Sequence, residues 1–183
     1  MPSSPRHYYI LLYGLLPLLL APVWLVDRAP LPDIPVNMAR AYQMLHFGDG
    51  SPAVAHMEMA PHTVPNSAFD LLVPPLLGVL SLERATQCFL TFYLLLFAAA
   101  CHCLGRAVRG GGEGFGPPHA AMLPCLFLSY QATFLYGFLN FSAGLALAIL
   151  TLGLRIGWAA RSIRPCPSGR SARTVRGHRP SRA

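Results

Sequence analysis

The sequence predicts an all-α fold: a polytopic helical membrane protein with four transmembrane helices, one short re-entrant or fifth helix, and an amphipathic interfacial helix. Two observations carry this. Of 183 residues, 54% are hydrophobic and only 11% are charged, whereas soluble domains carry about 25% charged residues. The charges are also gathered into a few places, so that long stretches carry none. Between Arg6 and Asp27 the uncharged run admits a helix over 8–26, roughly 28 Å long at ~1.5 Å per residue, which matches the hydrocarbon core of a bilayer. Ala85–Gly105 supplies a second span. Gly114–Leu154 is long enough for two more, placed at 118–136 and 139–157. The break between them falls at Tyr136-Gly137-Phe138-Leu139-Asn140, where Gly and Asn suit a turn and the aromatics suit an interface.

The remaining elements are shorter. Leu71–Leu82 lies between Asp70 and Glu83 and contains Pro74-Pro75; at about 18 Å it is too short to cross, and it reads as a re-entrant or interfacial piece. Over 33–46, Ile34, Met38, Ala41 and Leu45 recur at helical steps, which predicts an amphipathic helix lying on the membrane surface. Asp33 suits its N-cap and Gly48 its stop. Asn66 suits the cap of the next element, with Asp70 in the first turn, where the helix dipole favours an acid. A cleaved signal peptide is a poorer reading of 8–26, because the run is long for an h-region and no clean small-x-small pair follows it.

Charge sets the orientation. With four spans and a cytoplasmic N-terminus, eleven arginines face inward and three (Arg28, Arg40, Arg84) face outward, as the positive-inside rule asks. A five-span arrangement scores twelve to two, and the double proline decides for four. The transmembrane domain therefore covers 1–154, with loop 27–84 extracytoplasmic, both termini cytoplasmic, and the cell's inner (plasma) membrane as location. Residues 155–183 interleave eight arginines with Ser, Pro and Gly and form an Arg-rich disordered tail, which either lies on anionic lipid or is out-of-frame translation. The tail lacks interleaved aromatics, so no nucleic-acid partner is expected.

Six of the seven acids lie between Asp27 and Arg84, and the candidate chemistry lies there too. Asp33, Asn37 and Arg40 share one polar face of the interfacial helix. Asp33 has two readings: a general base toward a substrate at the lipid–water boundary, or simply the helix cap. Arg40 likewise reads either as a phosphate or carboxylate contact or as a side chain snorkelling to headgroups. His46, His56, Glu58 and His62 carry ligand atoms at no standard metal spacing. Cys101-His102-Cys103 splays its two thiols around a helix, and the glycines of 110–116 lack the strand and helix a phosphate loop needs. No metal and no cofactor is expected. Gly153 and Gly157 permit close helix approach.

Three short stretches carry a resemblance. Asp33-Ile34-Pro35-Val36-Asn37-Met38-Ala39-Arg40 resembles the Asp-Tyr-Pro-Asn-His-Leu-Ala-Arg type of segment in bacterial GT-C polytopic glycosyltransferases. Pro65-Asn66-Ser67-Ala68-Phe69-Asp70-Leu71-Leu72 is similar to a second stretch of that group, and Gly137-Phe138-Leu139-Asn140-Phe141 to a Gly-Phe-x-Asn-Phe turn. The likeness covers Tyr8 to Leu154. It implies a sugar donor linked to polyprenyl phosphate, and it gives Asp33 the acceptor-side role of the family's first-loop acid. Asn37 and Arg40 would be substrate contacts. Asn37 stands where the relatives carry His, and Val36 where they carry Asn. Because the family has eight or more spans, the resemblance also implies an N-terminal, truncated module that is not catalytic alone. The alternative is a non-enzymatic helical membrane scaffold or subunit. A small transporter is disfavoured, since no acid lies within the four spans.

Overall fold

The computed structural model describes residues 5–27, 29–50, 52, 54, 67–109 and 123–162. His56, Glu58, His62, the glycine run 110–116 and the tail from 163 lie outside them. Every regular element among the described residues is helical: α1 Pro5–Trp24, α2 Ile34–Leu45, α3 Ala68–Leu76, α4 Leu82–Arg109, a 3₁₀ helix Pro124–Tyr130, a one-turn α5 Ala132–Leu135, and α6 Leu139–Ser162. Three of them, α1, α4 and α6, are long and apolar enough to cross a membrane. By length and composition they suit a multi-pass membrane protein.

α4 is the axis of the bundle. Its 28 residues make a rod of about 42 Å, and Ala85, Phe89, Leu90, Tyr93, Leu94, Phe97, Ala98 and Cys101 bury one long face of it. α1 runs antiparallel alongside. The Tyr8 hydroxyl lies 3.2 Å from His102 Nδ1 at one end, and Trp24 Nε1 donates to Thr91 Oγ1 at 3.0 Å toward the other. The last carbonyls of α1 have no intrahelical partners. Gln87 of α4 meets that need at Val23, its Nε2 donating to the Val23 carbonyl and to that of Val26 just past the helix. Away from the bundle α1 presents Ile10, Leu11, Tyr13 and Leu18, so it is apolar all round, as a lipid-facing helix must be.

α6 lies parallel to α4, and small residues bring them close. Ser142, Ala143 and Ala146 are buried in the first half. Further along, Gly153 sits so near α4 that a Cβ there would lie 2.8 Å from the Leu104 nitrogen, while one on Gly157 would meet Ala107 at 3.9 Å. The expected glycine pair is therefore spent inside the chain. Residue numbers rise together in the two helices, so the chain must travel back the full length of α4 between Arg109 and Leu139.

That return path departs from the expected helical span at 118–136. Residues 118–122 are outside the described set, and the rest is a 3₁₀ helix followed by a single α turn. Pro124 lacks the N–H that a continuing helix would use, and Gln131 is extended (φ −61°, ψ 165°), which ends the 3₁₀ helix. The segment nevertheless packs one face against the bundle, leaving Phe127, Leu128 and Leu135 exposed. Leu126 and Phe134 are buried, Tyr93 donates its hydroxyl to the Ser129 carbonyl at 2.8 Å, and Tyr130 donates to the Leu19 carbonyl. The expected turn at 136–140 is present: Gly137 takes φ +90° and α6 starts at Leu139. α6 continues past Arg155, the expected start of the tail, as far as Ser162.

α2 and α3 cover the end of the bundle where α1 finishes and α4 and α6 begin. α2 matches the expected amphipathic helix. Ile34, Met38 and Ala41 are buried, while Leu45 in its last turn is exposed. α3 has nine residues, about 14 Å, so the short re-entrant or fifth helix is a cap on the bundle, too short to cross a bilayer. Phe69 of α3 inserts against Phe89 of α4 with ring centroids 5.0 Å apart and anchors this layer.

Candidate functional site

The three predicted site residues meet at one cavity. Asp33, Asn37 and Arg40 follow each other at steps of four and three, which stacks them on one face of α2. That face looks onto the turn before α6. Together with Thr133 and Asn140 they line a cavity of about 620 Å³. Its rim is apolar and aromatic, formed by Val36, Phe138 and Phe141, all well exposed.

Asp33 occupies the N-cap position of α2 but does not act as a cap. Its backbone is already near helical (φ −89°, ψ −3°), and its carboxylate accepts no bond from the helix N–H groups. The main chain of Asp33 is what the structure holds. Its N–H donates to the Tyr136 carbonyl at 3.3 Å, and its carbonyl accepts from the Asn37 N–H at 3.0 Å. The positive φ of Gly137 allows this approach, since a Cβ there would fall 2.9 Å from both the nitrogen and Cβ of Asp33. Asp33 is one of the residues that line the cavity, and its carboxylate is not engaged in a cap bond.

Asn37 and Arg40 are tied into a network that joins three elements. Asn37 is 8% exposed; its Nδ2 donates to the Gly137 carbonyl at 3.3 Å and its Oδ1 accepts from Arg40 at 3.1 Å. Arg40 Nε donates to Asp70 Oδ1 at 2.7 Å, with side-chain exposures of 46% for Arg40 and 13% for Asp70. The Asn140 side-chain oxygen accepts the N–H of Phe69, so the start of α6 also holds the first turn of α3. Arg40 therefore already has a counterion, and Asp33 is the charge in the cavity without one among the described residues. Thr133 adds a buried hydroxyl that finds no partner among the described residues.

Sequence reasoning did not name Asp70, Thr133 or Asn140 as site residues. Asp70 does sit in the first turn of α3, where the dipole argument placed it, but its nearest contact is Arg40. The signal that could have flagged Asp70 and Asn140 was their position inside the second and third resembling stretches. All three of those stretches contribute to this corner of the molecule.

The other groups weighed as ligands and found among the described residues have separate neighbours. His46 pairs with Asp49 at 2.9 Å and packs on Tyr42. Cys101 is buried in the core, His102 turns to Tyr8, and the backbone of Cys103 lies against Gly153. Among the described residues no three metal-ligating side chains form a group. A second cavity, of about 630 Å³, is lined by Asp27, Ser81, Glu83, Arg84 and Gln87 at the same end of the bundle. Gln87 there closes the end of α1, and Arg84 binds Gln87 and lies over the Trp24 ring at 5.7 Å, which gives these side chains structural work.

Fold and cavity together define a class: an all-helical protein with three helices fit to cross a bilayer and a polar, aromatic-rimmed cavity at one end. No protein-family model, no curated protein and no solved structure matches the chain.

Proposed function

We propose that the chain is a multi-pass plasma-membrane protein of the GT-C glycosyltransferase kind, and that the α2 cavity is its acceptor site. In this reading the donor is a sugar on polyprenyl phosphate. Asp33 takes the proton from the acceptor nucleophile as it attacks the sugar, while the phosphate leaves with the bonding electrons. Asn37 shapes the pocket floor, and Arg40 holds α2 to α3 and presents its remaining N–H groups to the substrate. The observation that carries the reading is that Asp33 lines a cavity instead of capping its helix. A cap is the ordinary reason for an aspartate at this position, and that reason is absent. The convergence of all three resembling stretches adds independent support.

The topology that goes with this reading has four passes. The parallel course of α4 and α6 supports it, because residues 110–138 must recross the bundle. Non-helical backbone at membrane depth is tolerated where protein buries it, and one face of 123–135, with Leu126, Ser129 and Phe134, is buried against the bundle while Phe127, Leu128 and Leu135 on the other are exposed and apolar. Loop 27–84 would then lie outside the cell, with both termini in the cytoplasm.

As a module that resembles the N-terminal part of such an enzyme, the chain is tested for transfer of labelled sugar from a polyprenyl-phosphate donor to membrane acceptors after co-reconstitution in proteoliposomes with the membrane proteins that would complete it. Asp33→Asn is expected to lower the rate by roughly 10²- to 10⁴-fold, the usual contribution of a general base. An unchanged rate in that variant removes Asp33 from the chemistry.

A further inference from the structure

We infer that the α2 cavity takes a cationic amphiphile: an ammonium group set against Asp33, with its hydrocarbon chain lying along Val36, Phe138 and Phe141. The inference rests on the reading of this cavity as a ligand site and specifies what the site selects. Charge is the first argument. Asp33, Arg40 and Asp70 together carry one net negative charge, and the Arg40–Asp70 pair is internally neutral. The uncompensated charge is the Asp33 carboxylate, which accepts no cap bond and has no ion-pair partner among the described residues. An anion brought here would meet an Arg40 whose charge Asp70 already balances at 2.7 Å, and it would sit beside the Asp33 carboxylate. An ammonium meets neither obstacle.

The walls give the second argument. Phe138 and Phe141 line the same cavity as Asp33, and aromatic faces attract cations through the ring quadrupole, more strongly where water is excluded. Thr133 presents a buried hydroxyl with no partner among the described residues, and such a group needs a hydrogen-bonding companion. An ammonium has three donors to offer. The third argument is the rim. Val36, Phe138 and Phe141 are exposed apolar side chains continuous with the polar floor, a layout that fits a ligand with a charged head and a greasy tail. The second cavity at this end has no such rim: its lining is Asp27, Ser81, Glu83, Arg84 and Gln87.

Calorimetric titration of the full chain in dodecyl maltoside micelles tests this, with decylammonium, decanol and decyl phosphate as probes of equal chain length. Decylammonium is expected to bind about tenfold or more tighter than decanol, the size of one charge-assisted hydrogen bond, and decyl phosphate most weakly. Asp33→Asn, checked for monodispersity, should erase the preference for decylammonium, and Asp33→Glu should keep it. Asp27→Asn removes one acid from the second cavity and should change nothing. Equal binding of decylammonium and decanol, tighter binding of decyl phosphate, or an equal loss in Asp27→Asn each overturns the inference. The sugar-transfer assay reports separately. Amine selectivity without transfer would remove the catalytic reading and leave this one, and transfer without amine selectivity would do the reverse.

Discussion

Gly137 adopts φ +90° with the backbone of Asp33 directly in front of it, so that a single methyl group there would meet two kinds of penalty. The left-handed conformation disfavours any side chain, and the Cβ would press on Asp33 N and Cβ at 2.9 Å. Gly137→Ala is expected to cost about 1–3 kcal/mol, read as a lowered unfolding midpoint in detergent, and to weaken ligand binding by moving α2. Gly144→Ala is its control: that glycine lies within α6 with nothing inside 4 Å of an added Cβ, and it should be neutral or slightly stabilising. An equal loss in both would show that the turn is not special. The same scale explains what the sequence disclosed. Asp33, Asn37 and Arg40 were legible as a group because one helix imposes its period on them. Asp70, Thr133 and Asn140 were not, because their meeting with α2 depends on how α3 and α6 dock, and no local period encodes that. Asp33 shows a different limit. Residue type and position both suit a cap, and only the backbone geometry of the folded chain shows that the cap bond is not made.

At the level of elements, the α4–α6 pairing is set by Gly153. Its missing side chain lets the backbones of two helices touch, which gives dispersion contact where no hydrophobic effect operates between lipid-embedded helices. Gly153→Ala puts a Cβ 2.8 Å from Leu104 N, and backbone cannot swing aside as a flexible side chain can. Helix separation with a loss of about 1–3 kcal/mol is expected. Gly157→Ala places its Cβ 3.9 Å from Ala107, ordinary contact, and should be tolerated. Chemical denaturation of both variants in mixed micelles checks the order, and a Gly157 variant weaker than the Gly153 variant would contradict this packing. Hydropathy found α1, α4 and α6 because unbroken apolar runs and helices of bilayer length coincide there. It misjudged 118–136 for a physical reason. Apolarity reports where a segment can be buried, whereas helical continuity depends on Pro124 and on the extended Gln131 that separates the 3₁₀ helix from α5. The turn at Gly137 was legible because glycine and asparagine mark turns whatever the solvent.

For the molecule as a whole, the decisive quantity is how many times the chain passes from one end of the bundle to the other. Tyr8 lies beside His102, and Gly157 lies beside Ala107, so the start of α1 and the last turns of α4 and α6 share one end. Asp33, Phe69 and Asn140 occupy the opposite end. Three crossing helices with α6 antiparallel to α4 would put Ser162 with Asp33, and the parallel packing forbids that arrangement. If the long axis of α4 stands across a bilayer, the carboxylate cavity and the arginines near the ends of α4 and α6 face opposite aqueous phases, as the positive-inside rule asks. In a background with the native cysteines replaced by alanine, single cysteines at positions 7, 33 and 162 test this with a membrane-impermeant maleimide on sealed cells and on inverted vesicles. Position 33 is expected to label in intact cells, and positions 7 and 162 only in inverted vesicles. Should 7 and 162 label from opposite sides, the return of 110–138 across the membrane would be ruled out. Should 33 label only from the cytoplasmic face, the cavity would be on the wrong side of the bilayer for an extracytoplasmic acceptor, and the glycosyltransferase reading would fall while the bundle itself stood.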